Sequence, residues 1–121
     1  MHHAAKAYGQ VAKQTANPRE LEANLLLSAA AKLQALRDGK KSAPADFEAA
    51  LLYNRKLWSI FVTSATQKDH PLPPAVRQNI ANLGIFVLGH TMAIANEFRP
   101  ELLGPLISIN REVAAGLLGR G

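Results

Sequence analysis

The chain has 121 residues, enough for one domain and one core, and its 48% apolar and 19% charged residues exclude an intrinsically disordered protein. Twenty-one alanines outweigh fifteen Val, Ile and Thr residues combined, which points to an all-α protein, because Ala is the best helix former and β-branched residues favour strands. Cysteine is absent, which excludes disulfides, thiolate metal sites and thiol catalysis, and no run of about 18 apolar residues is present to span a membrane.

The N-terminus, Met1-His2-His3-Ala4-Ala5-Lys6, has neither the apolar stretch nor the cleavage site of a secretory signal. Ala4 to Ala16, with Tyr8 and Val11, reads as a short helix with a thin apolar face, weakened by Gly9. Asn17-Pro18-Arg19-Glu20 starts the first long helix. Asn17 is placed to cap, Pro18 loses no hydrogen bond in the first turn, and Glu20 stands where a capping-box acid would. The stripe Leu21, Leu25, Ala29, Leu33 and Leu36 follows, and Gly39 supplies the stop.

Ser42-Ala43-Pro44 opens the second helix, with Asp46 and Glu48 where the helix dipole favours acids. Phe47, Leu51, Asn54, Trp58, Phe61 or Val62, and Ala65 form one stripe, flanked by Ala50, Tyr53, Leu57 and Ile60. Apolar on most of its circumference, this helix is expected to be central. His70-Pro71-Leu72-Pro73-Pro74 breaks the chain, since prolines in series cannot continue a helix.

A third helix begins at Pro74 with the stripe Val76, Ile80, Leu83, Val87, His90 and Ile94. Gly84 and Gly89 are read as points of close helix contact. It ends before Arg99-Pro100; a loop with Glu101 and Gly104 leads to Pro105 and a last helix bearing Leu106, Asn110, Val113 and Leu117 on one side. The expectation is a single domain over residues 1–121. It is a small helical bundle of four main helices plus a short N-terminal helix, with antiparallel neighbours because the connections are short.

Little in the chain suggests catalysis. His90 on its apolar stripe is read as an internally hydrogen-bonded histidine, and His70 as solvated. Neither has an acid at metal-site spacing, the His2-His3 pair lacks a third ligand, and no nucleophile elbow, phosphate loop or paired-carboxylate site is present. A non-catalytic protein without metal or cofactor is therefore expected.

The net charge of +5 invites a nucleic-acid reading, but basic residues are spread from Lys6 to Arg120 and only Lys40-Lys41 are adjacent. Two asparagines interrupt apolar stripes: Asn54 between Leu51 and Trp58, and Asn110 between Leu106 and Val113. Each needs hydrogen-bond partners. An internal network that fixes helix register would supply them, as would an incoming helix in a groove. Trp58 reads as a core anchor and the Leu117-Leu118 pair as partly exposed.

Taken together, Ala7-Tyr8, Pro18-Arg19-Glu20-Leu21-Glu22-Ala23, Asn54-Arg55-Lys56-Leu57-Trp58, Leu72-Pro73, Gly89-His90-Thr91 and Pro105-Leu106-Ile107-Ser108-Ile109-Asn110-Arg111 resemble the FlaF flagellar biosynthesis family of alphaproteobacteria, from about Ala7 to Leu117. Phe86 and Gly89 depart from that pattern, which often carries a Trp and a polar residue there. The resemblance implies a cytoplasmic helical protein that associates with unexported flagellin in a secretion-chaperone-like role. It would act alongside FlbT, a post-transcriptional regulator of flagellin messenger RNA; direct RNA contact, or contact through FlbT, is the alternative. On this reading the partner groove runs along the last helix and the Asn54–Trp58 helix. Ile109, Val113 and Leu117 would give apolar contact, Arg55 and Arg111 would orient polar groups of the client, and Asn54, Trp58 and Asn110 would complete the strip.

Overall fold

The computed structural model describes residues 18–119. Four α-helices run in order: α1 (Pro18–Arg37), α2 (Pro44–Ala65), α3 (Pro74–Asn96) and α4 (Gly104–Leu117), with a 3₁₀ turn at Pro100–Leu103 before α4. The expected short helix at Ala4–Ala16 and the expected cap at Asn17 lie outside the described residues.

Proline sets the helix starts. It stands in the first two positions of α2, α3 and α4, where a missing N–H costs nothing, and no side chain caps these three helices. The end of α1 follows from Gly39, whose φ of 75° only glycine adopts without strain. There the Gly39 N–H donates to the Leu36 carbonyl (3.2 Å) and the Lys40 N–H to that of Ala35 (2.9 Å), the paired bonds of a Schellman stop.

α2 shares the centre of the bundle with α1. α1 packs along α4, against α2 and under the 3₁₀ turn, while α2 bridges α1 and α3. The reason is side-chain size. Ala23, Ala29 and Ala30 are buried on α1, and small residues let helix axes approach closely. The outer side of α2 is open, with Ile60 55% exposed.

Leu26, Leu33, Trp58, Val87, Ile94, Leu103, Leu106 and Ile107 fill the interior. Burying each aliphatic chain is worth about 1.5–3 kcal/mol. Leu103 belongs to the connection read as a loop. The 3₁₀ turn carries its side chain inward, so the chain reverses without giving up the core.

Gly84 is the close contact between α2 and α3. A Cβ there would run into the Val62 Cγ2. Gly89 is not a close contact, because nothing lies within 4 Å of a Cβ built on it. Arg77 ties the same helix pair at the end where the chain passes from one helix to the other. Its Nη1 donates to the Gln67 carbonyl (2.8 Å) and, more weakly, to that of Ala65 (3.5 Å), placing a cation at the C-terminus of α2 where the dipole favours one.

Candidate functional site

Two features stand out where sequence reasoning places the site. The first is an internal polar junction between α2 and α4. Asn54, Trp58 and Asn110 are all fully buried. The Trp58 Nε1–H donates to Asn110 Oδ1 (2.8 Å), and Asn110 Nδ2 donates to Asn54 Oδ1 (2.6 Å). The indole N–H can only donate, so it fixes which end of the Asn110 amide faces it, and that choice fixes Asn54 in turn. The cost falls on Asn54 Nδ2, which is buried with no acceptor among the described residues. The structure thus places these three residues inside the bundle and not along an open groove. Two apolar stripes bring their interrupting amides together, and one hydrogen bond joins the amides.

The two arginines are at the surface. Arg111 is exposed and turns toward α1, where its Nη2 donates to Gln34 Oε1 (3.2 Å). Arg37 donates to the same oxygen from α1 (2.9 Å). Arg55 is exposed on α2. Neither Arg55 nor Arg111 borders the cleft described next.

The second feature is an open seam. α3 and α4 scarcely pack on each other. Between the start of α3 and the end of α4 they leave a cleft of about 400 Å³. Leu72, Pro73, Val76, Ile80 and Leu83 form one wall, Val113, Gly116 and Leu117 the other, and Arg19 of α1 stands at the rim with Asn79. The lining is largely apolar, and Arg19 is its one charged residue. Val113 and Leu117, two of the predicted contact residues, are half-buried in this wall, and Ile109 is half-buried against the core.

Sequence reading missed the α3 wall. Val76, Ile80 and Leu83 carry the same stripe as Val87 and Ile94, yet only the latter two are buried. Periodicity marks an apolar face, not the point where its neighbour stops covering it. Three residues on from Arg19 in α1, the half-buried Glu22 has its carboxyl raised above the ordinary value, chiefly by burial, with the positive charge of Arg19 opposing.

A further apolar face lies on the outer side of α3. Ile85 is 70% and Met92 68% exposed, with Phe86 beside them. Phe86 stacks on His90 (5.3 Å between ring centres), whose Nε2 lies 2.7 Å from the Leu102 carbonyl oxygen. His90 is therefore hydrogen-bonded within the fold, as the sequence suggested. His70 is half-buried, and its Nδ1 accepts the Leu72 N–H (3.2 Å). No group of three or more His, Asp or Glu residues is placed to hold a metal among the described residues, and no described helix is long and apolar enough to cross a membrane.

Comparison with known proteins gives one finding. Residues 4–117 match the family described as flagellar protein FlaF. No curated protein and no solved structure matched the chain. The family match spans nearly the whole sequence, including both stripes with their asparagines and both walls of the cleft, and the chain belongs to the FlaF family of flagellar proteins.

Proposed function

We propose that this FlaF-family protein holds unexported flagellin in a secretion-chaperone-like role, with the cleft between α3 and α4 as the docking site. The observation that carries the reading is the cleft itself, an apolar-lined opening between two helices that scarcely pack, with one charged residue in its lining, whereas the opening of about 500 Å³ between α1 and α2 is lined in part by Lys32, Lys41 and Asp46. Before export, a flagellin subunit has terminal amphipathic helices without their polymer partners. The apolar face of such a helix suits a groove walled by Val76, Ile80, Leu83, Val113 and Leu117. Binding would hide that face from premature self-association. The protein then works in the cytoplasm, beside FlbT, and any effect on flagellin synthesis follows from how much unexported flagellin it holds.

Calorimetric titration with monomeric flagellin tests this. The expected result is a Kd of about 1 µM or tighter with a negative heat-capacity change, the mark of apolar burial. Val113→Asp and Leu117→Asp should each weaken binding at least about tenfold while helical content stays unchanged. Ile109→Asp, beside the cleft and against the core, should affect folding as well. Salt-sensitive binding to the flagellin messenger-RNA leader, with no binding to flagellin, would overturn the reading.

A further inference from the structure

We infer that Arg37 and Arg111 form a two-guanidinium clamp, set by Gln34 on the face where α1 meets α4, that takes a side-chain carboxylate from an acidic segment of a partner protein. The inference stands apart from the flagellin reading, because the clamp does not border the α3–α4 cleft. At the helical rise per residue, Arg37 stands about 27 Å along α1 from Arg19 at the cleft rim.

The geometry begins with a shared acceptor. Arg37 Nη2 from α1 (2.9 Å) and Arg111 Nη2 from α4 (3.2 Å) both donate to Gln34 Oε1. Arg37 reaches that oxygen because it follows Gln34 by three residues, the spacing at which helix side chains meet. Arg111 reaches it because α4 packs along α1. The other end of the amide is fixed as well, since Gln34 Nε2 donates to both carboxylate oxygens of Asp38 at 3.0 Å. Asp38 thus sets which end of the amide is the oxygen, and the oxygen sets where the two guanidiniums meet.

The second observation is that these cations lack a counter-ion. Neither guanidinium forms an ion pair with a carboxylate among the described residues. Each carries five N–H donors and gives one to Gln34. Two like charges held on one neutral oxygen repel each other, and an anion between them offsets that repulsion. The start of α4 adds to the positive potential. A Cβ on Gly104 would come 3.8 Å from Arg37 Nη1, and no side chain caps this helix end. Lys40 and Lys41, exposed just beyond α1, draw an acidic segment toward the same end of the helix.

Charge and shape select the ligand. A guanidinium fork matches a carboxylate through two parallel bonds. Asp38, held beside the clamp by Gln34, opposes a phosphate dianion more strongly than a carboxylate monoanion. It also interrupts the row of cations that a nucleic-acid strand needs, because affinity there comes from neutralising neighbouring phosphates.

The test follows the arginine Nε–H signals of the full chain by NMR at low salt. The probe is a blocked hexapeptide of alternating alanine and glutamate. Saturable shifts of Arg37 and Arg111 with a midpoint of about 1–10 mM, with Arg55 and Arg99 little moved, are the expected result. Equal shifts at all four arginines, or no saturable shift, would overturn the proposal. So would tighter binding of inorganic phosphate or of oligouridylate at Arg37 and Arg111, which would make the clamp a phosphate site. Arg37→Lys and Arg111→Lys keep the charge and lose the fork, so each should weaken peptide binding at least about threefold at unchanged helical content. Undiminished binding by both lysine variants would reduce the clamp to bulk charge and overturn it. Gln34→Glu puts a carboxylate of the chain's own where the guanidiniums meet and should abolish the saturable shifts; their persistence would show that the two arginines do not share one ligand position.

Discussion

At the middle of the bundle, Asn54, Trp58 and Asn110 close the gap between α2 and α4 with two short hydrogen bonds and no exposed surface. At one end, Val113 and Leu117 of α4 face Val76 and Ile80 of α3 across a cleft that no described side chain fills. The closed region uses polar groups and buries them; the open region uses apolar groups and leaves them accessible. Ordinary partition of side chains between core and surface would give the reverse. Each region departs from that rule for a different reason. The junction trades some stability for a unique pairing of α2 with α4, because a buried amide tolerates few registers. The cleft leaves apolar surface uncovered by α1 to α4.

The comparison can be broken most forcefully at the junction. Trp58→Ala should destabilise the fold by about 3–5 kcal/mol, read from urea denaturation, since it removes a fully buried indole and leaves Asn110 Oδ1 without its donor. A double-mutant cycle on Asn54→Ala and Asn110→Ala should show strong non-additivity, with the second change costing much less than the first, because either change alone already breaks the hydrogen bond they share.

Next in size is the glycine pair on α3. Gly84→Ala should cost about 1–3 kcal/mol as the new methyl meets Val62, and Val62→Ala should recover much of the loss. Gly89→Ala meets nothing and should stabilise by up to about 1 kcal/mol through helix propensity, seen as a higher Tm. In the cleft, Leu117→Asp should change the urea midpoint far less than any junction variant, yet weaken the proposed flagellin binding at least about tenfold. A large loss of stability there would move Leu117 from the open region to the closed one.

The smallest effect concerns pH. The raised Glu22 carboxyl binds its proton more tightly in the folded than in the unfolded chain. Its favourable contribution is therefore fully present below the unfolded pKa and is lost as pH rises through the higher folded value. Glu22→Gln should flatten that slope in Tm against pH and give a slight gain near neutrality.

Much of the fold is legible in the residues. Prolines 18, 44, 74 and 105 mark the helix starts, Gly39 marks a stop, and the stripes of α1 and α2 name most of the interior. The junction is legible as two amides in need of partners, and the structure supplies each with the other. The cleft is not legible, because Val76 and Leu83 carry the same signal as Val87 and Ile94, and only the splay of α3 from α4 separates covered from uncovered turns. Leu103 escaped for a related reason: a short proline-led turn has no periodicity to announce that one of its side chains points inward. The bond from Arg111 to Gln34 of α1 was not legible, because an exposed arginine leaves no trace in the pattern of which helix it will reach.

Trp58 has one more consequence. It is the only tryptophan in the chain, and its indole is shielded from water and held by a single amide oxygen. Every photon of tryptophan emission therefore comes from the junction and none from the cleft. During a titration with a client that lacks tryptophan, a steady blue emission maximum would report that α2 and α4 stay locked while the far end fills. A red shift would report that occupying the cleft pries the bundle apart.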